Sequence, residues 1–125
     1  MATLLATITT FVDVYDHQTK DFGGRSPVAM VYSDGSRTTF PDYTRQYHRL
    51  LIQFIWRRED DDTTEDYIDD LANDVRQKLI DNTEIASYWS DLKFDEENSE
   101  MGYFILEGKQ YRYEIIPVVV EVISA

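Results

Sequence analysis

The chain has 125 residues, of which 42% are hydrophobic and 14% aromatic, and it carries a formal net charge of −12 at pH 7. This length predicts one domain, residues 1–125, with enough apolar residues to bury a core. The absence of cysteine excludes disulfides, thiol catalysis and the usual zinc cages. No charged leader follows Met1, and the longest apolar run, residues 115–120, is too short to cross a bilayer, so we expect no membrane contact.

The charge is unevenly distributed along the chain. Residues 1–58 carry seven Lys or Arg and five Asp or Glu, whereas residues 59–125 carry five and nineteen, so the two halves have balances of +2 and −14. The acidic half disfavours binding to a phosphate backbone. Most acidic runs are solvated surface, but two sharper interpretations are a surface that attracts a basic partner and a wall that DNA passes without sticking.

The first 26 residues predict a short helix, a strand and a loop. Apolar residues at positions 4, 5 and 8 favour a helix within residues 2–10, although several Thr residues weaken it. Alternation in residues 11–15 predicts a short strand, and the polar segment 16–26 predicts a loop.

The next segment predicts a hairpin and then a long strand. Pro27–Tyr32 is a short apolar strand, and Asp34-Gly35 is a typical hairpin turn that leads into a returning strand, Arg37–Phe40. The long strand covers residues 43–58. Every second residue places one set on an apolar face and the other on a mixed face. The apolar face has Leu50, Ile52, Phe54 and Trp56, and the mixed face has Arg49, Leu51, Gln53, Ile55 and Arg57.

The strongest helix prediction covers residues 63–82. Asp62–Glu65 and Thr63–Asp66 both have the spacing of a capping box, and acidic residues crowd the N-terminal half, as the helix dipole favours. One apolar stripe has helical spacing and consists of Ile68, Leu71, Ala72, Val75 and Leu79.

The C-terminal third predicts a short strand and a hairpin. Leu92 and Phe94 indicate a strand, residues 95–100 an acidic turn, and residues 101–106 and 110–123 a hairpin joined at Glu107-Gly108-Lys109. The last strand is apolar on both faces, so both must be covered. Within it, Pro117 cannot donate a ladder hydrogen bond and predicts a bulge or an edge position.

Together these elements predict the α+β class: one antiparallel or mixed sheet, the long helix packed on one of its faces, and a short N-terminal helix. The second face of the sheet is also partly apolar, and the predicted elements leave little to cover it. We therefore expect contact with another subunit there.

No catalytic, cofactor-binding or metal site is predicted. His17 and His48 lack metal-ligand spacing, and Asp60–Asp62 with Glu65 lacks the alternation and central Gly of a calcium loop. Asp42 with Glu107-Gly108-Lys109 imitates the scattered carboxylates of a metal-dependent nuclease. The second group falls in a predicted turn, so this interpretation is the weaker one.

Several segments together resemble tail terminator proteins of long-tailed bacteriophages. The similarity is one of pattern over most of the chain, and no single motif is diagnostic. It is carried by residues 11–17, by Pro27–Tyr32, by the charged aromatic strand 45–58, by the acidic helix from Thr63 and by residues 111–123.

This resemblance implies a structural virion protein of the tail or neck region, assembled in the bacterial cytoplasm, without catalytic residues or cofactors. Members form hexameric rings that cap the last ring of the tail tube, end its polymerisation and join the tail to the connector or neck proteins of the head. DNA would only pass through the channel. Another neck or head-completion protein has the same layout, and a DNA-mimicking acidic inhibitor is the alternative of a different class.

If the chain forms a ring, charge predicts which residues meet between subunits. The long strand offers Tyr47, Arg49 and Arg57, and a neighbouring subunit offers the acidic run Glu59, Asp60, Asp61 and Asp62. Opposite charges in such a contact set its register more than its affinity.

Overall fold

The structure, a computed structural model, describes residues 1–8, 11–19, 22, 26–39, 45–57, 61–85 and 89–123. Its elements are α1 (Ala2–Leu5), β1 (Asp13–Tyr15), β2 (Val28–Thr39), β3 (Arg45–Arg57), α2 (Asp61–Ile80), β4 (Asp91–Phe94), a 3-10 turn (Glu96–Asn98), β5 (Glu100–Leu106) and β6 (Lys109–Ile123). In these residues, no helix is both long and apolar enough to cross a membrane.

The strands form one open, mixed sheet with two helices, one of them short, which is an α+β architecture. The order is β1-β2-β3-β6-β4. Both β4 and β5 pair with the side of β6 that faces away from β3, β4 with its C-terminal half and β5 with its N-terminal half. Only β1 and β2 are parallel, and all other neighbours are antiparallel.

Strand β6 is internal, and Pro117 lies within it at a local gap. On one side, β6 pairs with β3 continuously from Tyr111 to Ile123. On the other side, the pairing with β5 ends at Ile115 of β6, and the pairing with β4 starts at Val118 of β6. The Pro117 carbonyl accepts a hydrogen bond from the Asp95 amide at 3.0 Å on that side. The nitrogen and the C=O of a strand residue point to the same side of the strand. The Pro117 nitrogen, which has no hydrogen to donate, therefore faces the gap between β5 and β4. The strand β6 is internal as a whole, but at Pro117 this side of it has no partner among the described strands, so the predicted edge position is present locally.

The predicted hairpin at Asp34-Gly35 is wrong. Strand β2 continues through this pair and stays beside β3, with Ser33 opposite Leu50 and Arg37 opposite His48. Three residues of β2 thus face one residue of β3, an irregularity that keeps both halves of β2 paired. The long β3 provides a partner for the whole of β2, and this pairing overrides the local turn signal.

The N-terminal helix is shorter than predicted and ends at Leu5. The Thr7 hydroxyl donates to the Leu4 carbonyl at 2.6 Å, so a side chain competes for a backbone acceptor at this point. Leu5 and Ile8 are nevertheless buried in the core. Residues 9 and 10 of the predicted helix lie outside the described part of the chain.

Helix α2 begins and ends two residues earlier than predicted. Asp62 and Thr63, the predicted caps, lie inside the first turn, and the side chains of residues 61–67 lie outside the description. Beyond the last turn, the Asn82 side-chain amide donates to the Lys78 carbonyl at 2.8 Å, and the Asn82 carbonyl accepts from the Trp89 indole at 3.1 Å. The first bond gives a partner to a backbone carbonyl at the end of α2, and the second ties Trp89 to the residue that follows the helix.

The main core lies between the helices and one face of the sheet. Among the described side chains of α2, the buried ones are Ile68, Leu71, Ala72, Val75 and Leu79. They pack on Ile52 and Phe54 of β3 and on Ile116, Val118 and Val120 of β6. Alternate strand residues thus meet a helical stripe, and α1 adds Leu5 beside it.

Replacing Leu71 by Ala should destabilise the fold by about 2–5 kcal/mol, because Leu71 is 1% exposed and truncation leaves a cavity. Denaturant unfolding of Leu71→Ala measures this loss. Asp74→Ala is the matched control, since Asp74 is exposed on the same helix and should unfold near the wild-type midpoint. Equal midpoints for Leu71→Ala and wild type would contradict the core assignment.

Candidate interaction surface

A second, aromatic-rich cluster covers one end of the sheet face that is turned away from the helices, here called the outer face. Its buried members are Phe22, Val28, Met30, Ile55 and Tyr111. Tyr111 meets Phe22 edge-on at 5.4 Å and stacks on Phe104 at 5.2 Å. The chain itself covers this end, where the sequence led us to expect another subunit.

Elsewhere on the outer face, most of the described side chains of β3 and β6 are half-buried. Leu51 of β3 and Ile115 and Val119 of β6 lie there. Neither helix packs on this side, because both contact the opposite face through the main core. Leu51 is opposite Pro117, so these side chains form an apolar strip across the two central strands. The three side chains are half-buried, and Pro117 between them is buried.

Of the predicted interface residues, Tyr47, Arg49 and Arg57 share the outer face of β3 because they are separated by even numbers of residues. All three are half-buried. Arg49 and Arg57 are eight residues apart, roughly 27 Å along the strand, so they do not form one compact patch. At the Arg57 end, the backbone amide donates to the Ser26 hydroxyl at 2.7 Å.

Arg49 has an acidic partner within its own chain. Its guanidinium lies 3.3 Å from an Asp95 carboxylate oxygen, and both side chains are 28% exposed. The predicted partners were Glu59, Asp60, Asp61 and Asp62. Glu59 and Asp60 lie outside the described residues, and Asp61 and Asp62 are the first two residues of α2. The proposed contact between Arg49 and an acidic run of another subunit therefore competes with Asp95.

A second ionic group ties α2 to β6 and the 3-10 turn. The Arg76 guanidinium donates to Glu96 at 2.9 Å and lies 3.6 Å from a Glu114 oxygen. The hydrogen bond to Glu96 raises the pKa of Arg76. Burial raises the pKa of Glu114, and the nearby Arg76 and Arg112 oppose that rise. The carboxylate form of Glu114 thus has a net cost in the folded protein.

Sequence reasoning missed an exposed apolar surface on β5. Met101, Tyr103 and Ile105 share a face and are 59%, 45% and 72% exposed. They lie on the helix side of the sheet, since Met101 is opposite Glu114 and Tyr103 is opposite the buried Arg112. The Arg112 guanidinium lies 5.7 Å from the Tyr103 ring centre. The signal was available as alternate apolar residues without a charge between them.

A cleft of about 480 Å³ opens beside the aromatic cluster. Its walls come from the loop before β2, from the strands below it and from β5, namely Gln18, Thr19, Phe22, Met30, Gln53, Ile55, Phe104, Ile105 and Leu106. Gln53 accepts a hydrogen bond from the Tyr32 hydroxyl at 3.0 Å, so its amide already has a partner within the chain.

The histidines and acidic residues considered as metal or nuclease sites do not come together in the described part of the chain. His17 contacts Asp16 at 2.9 Å on the surface, and His48 contacts Gln46 at 3.1 Å. Glu107 and Gly108 form the β5–β6 turn, as predicted, with positive φ at both, whereas Asp42 lies outside the described residues. Among the residues that the structure describes, no group of three or more His, Cys, Asp or Glu could hold a metal ion.

No protein-family profile matches the chain, and no characterised protein is significantly similar to it in sequence.

Replacing Glu114 by Gln should raise the melting temperature at pH 7, because it removes a carboxylate whose burial is unfavourable. The folded protein holds the Glu114 proton more tightly than the unfolded chain. The cost is therefore fully present above the raised pKa and disappears as the pH falls towards the ordinary value of 4.5.

The difference between Glu114→Gln and wild type should accordingly shrink on acidification, as thermal melts between pH 7 and pH 4.5 would show. Glu97→Gln, at an exposed position, should track wild type throughout. A Glu114→Gln protein that is less stable at pH 7 would mean that the attraction to Arg76 outweighs burial.

Proposed function

We propose that this chain is a structural subunit that acts by binding other protein chains, and specifically a tail terminator of a long-tailed bacteriophage. The observation that carries the proposal is the half-buried apolar strip of Leu51, Ile115 and Val119 on the outer face, which neither helix covers. Contact with a neighbouring subunit would remove this strip from water.

In this proposal residues 1–125 act as one domain, with the long helix α2 on one face of the sheet and neighbouring subunits on the other. Six copies of the 14.7 kDa chain form a ring of about 88 kDa. Identical head-to-tail contacts close such a ring because each subunit uses two different surfaces. Tyr47 and Arg49 on the outer face of β3 supply one surface, and the acidic segment 59–62 of the neighbour supplies the other.

The ring would cap the tail tube on one side and meet head-tail connector or neck proteins on the other, within the virion. Asp69, Asp70 and Asp74 are exposed on α2, opposite its buried stripe. Such an acidic surface repels a phosphate backbone, which suits a channel that lets DNA pass without specific binding. The proposed role requires no cofactor, metal ion or catalytic residue.

The proposal predicts that the chain stops the growth of tail tubes. Tail-tube protein of the same phage, polymerised in the presence of the chain, should give shorter tubes with one ring of the chain at an end, as electron microscopy would show. Leu51→Glu should lose this effect, because it places a charge in the apolar strip.

Ile80→Glu is the matched control, since Ile80 is 54% exposed at the end of α2, which packs on the opposite face of the sheet. Melting curves establish that both variants fold. Tubes that grow to the same length with and without the wild-type chain, and carry none of it at their ends, would exclude the terminator function.

A further inference from the structure

Strand β5 combines an exposed apolar face with an edge position. It pairs with β6 alone among the strands that the structure describes. The run Met101–Leu106 contains no charged residue and no proline. Proteins usually protect edge strands with charges, prolines or bulges, because an unprotected edge pairs readily with another strand.

The backbone direction makes this edge usable. Glu107 and Gly108 have φ values of 53° and 77°, as a two-residue type I′ turn requires. Such a turn is closed by a hydrogen-bonded pair, here Leu106 with Lys109, and bonded pairs alternate along the hairpin. Phe104 therefore bonds to β6, whereas Met101 and Ile105 direct their N–H and C=O groups away from it.

We propose that β5 pairs antiparallel with β5 of a second copy of this chain, about a twofold axis at Tyr103. The strand is self-complementary in this register. Met101 comes opposite the partner's Ile105, and their outward backbone groups can exchange two hydrogen bonds. The two Tyr103 side chains lie next to each other, so both apolar faces join into one strip that leaves water.

The charges fit the same register. Glu100 comes opposite the partner's Leu106, and Glu107 comes opposite the partner's Ser99, so no acid faces an acid directly. Lys109 is paired with Leu106 and shares its face. Each Lys109 therefore lies two strands from the partner's Glu100 on the same side of the joined sheet, where opposite charges attract. The attraction is weak at a separation of about 10 Å, so the self-complementary register is the argument for a second copy as the occupant.

The other end of the sheet offers less. Strand β1 has only three residues and begins with Asp13, whereas β5 has seven. A β5–β1 contact between copies would leave more than half of β5 without a partner strand. It would also form an open chain of subunits or a ring, in place of a pair.

Single-cysteine variants test the register, since the chain has no cysteine of its own. Opposite residues of a bonded antiparallel pair have Cα atoms about 5.5 Å apart, within disulfide range. Under mild oxidation Tyr103→Cys should form a covalent dimer on the order of a hundredfold faster than Val12→Cys, because pairing holds the thiols at high effective concentration. Val12 is 54% exposed beside β1 and serves as the control.

A mixture of Met101→Cys and Ile105→Cys should cross-link quickly, whereas either variant alone should not, and both retain Tyr103. Equal rates for the mixture and the single variants, or for Tyr103→Cys and Val12→Cys, would overturn the proposed register. Rapid cross-linking of a Val12→Cys and Ile105→Cys mixture would overturn it in favour of β5–β1 contacts.

In the proposed function the ring of six closes only on the tail tube, so native mass spectrometry without tail-tube protein tests the β5 pairing alone. Wild type and Val12→Lys should give a dimer of twice 14.7 kDa, about 29 kDa, and Ile105→Lys a monomer. A wild-type monomer, or an oligomer that Ile105→Lys leaves intact, would overturn the inference. Neither result alters the outcome of the tube-growth experiment.

Discussion

The pairing of β6 with β3 is the constraint on which the rest of the structure depends. The two strands stay in register from Tyr111 to Ile123, in the middle of the sheet. Side chains that alternate along β6 therefore enter both clusters, with Ile116 and Val118 under the helices and Tyr111 in the aromatic cluster. Strands β4 and β5 pair with the side of β6 that faces away from β3, so the position of every C-terminal strand follows from this one pairing.

The periodic segments could be predicted from the sequence because their burial is local information. The spacing of Leu71, Val75 and Leu79 indicates their shared side of a helix, and the alternation of Ile52 and Phe54 indicates their shared side of a strand. The Asp34-Gly35 hairpin could not be judged in this way. Whether such a pair turns or continues depends on the strand beside it, and β3 is long enough to keep β2 extended.

The candidate site was predictable only in part. Alternation placed Tyr47, Arg49 and Arg57 on one side of β3, but the partner of Arg49 is Asp95, 46 residues away in sequence. No short-range pattern records that approach, since it arises when β4 and the 3-10 turn reach β6. The position of Phe22 in the aromatic cluster has the same origin, because its contact with Tyr111 joins residues 89 positions apart in the sequence.

The two proposed contacts use different parts of the molecule and obey different symmetries. A cap with one side for the tube and another for the head has no twofold axis between its subunits, so its contacts are head-to-tail. Pairing through β5 is twofold by construction. The apolar strip on the outer face and the exposed face of β5 also lie on opposite sides of the sheet, which keeps the two kinds of contact separate.

Pro117 has a consequence for how the protein opens in solution. On the side of β6 that carries β5 and β4, Pro117 has no N–H to donate, so the hydrogen-bond ladder is interrupted between these two strands. At that point the Asp95 amide donates to the Pro117 carbonyl. The β5 hairpin arm can therefore separate from β6 without breaking the bonds of β4. Amide protons of β5 are expected to exchange with solvent through this local opening, whereas those between β6 and β3 exchange only when the sheet itself unfolds.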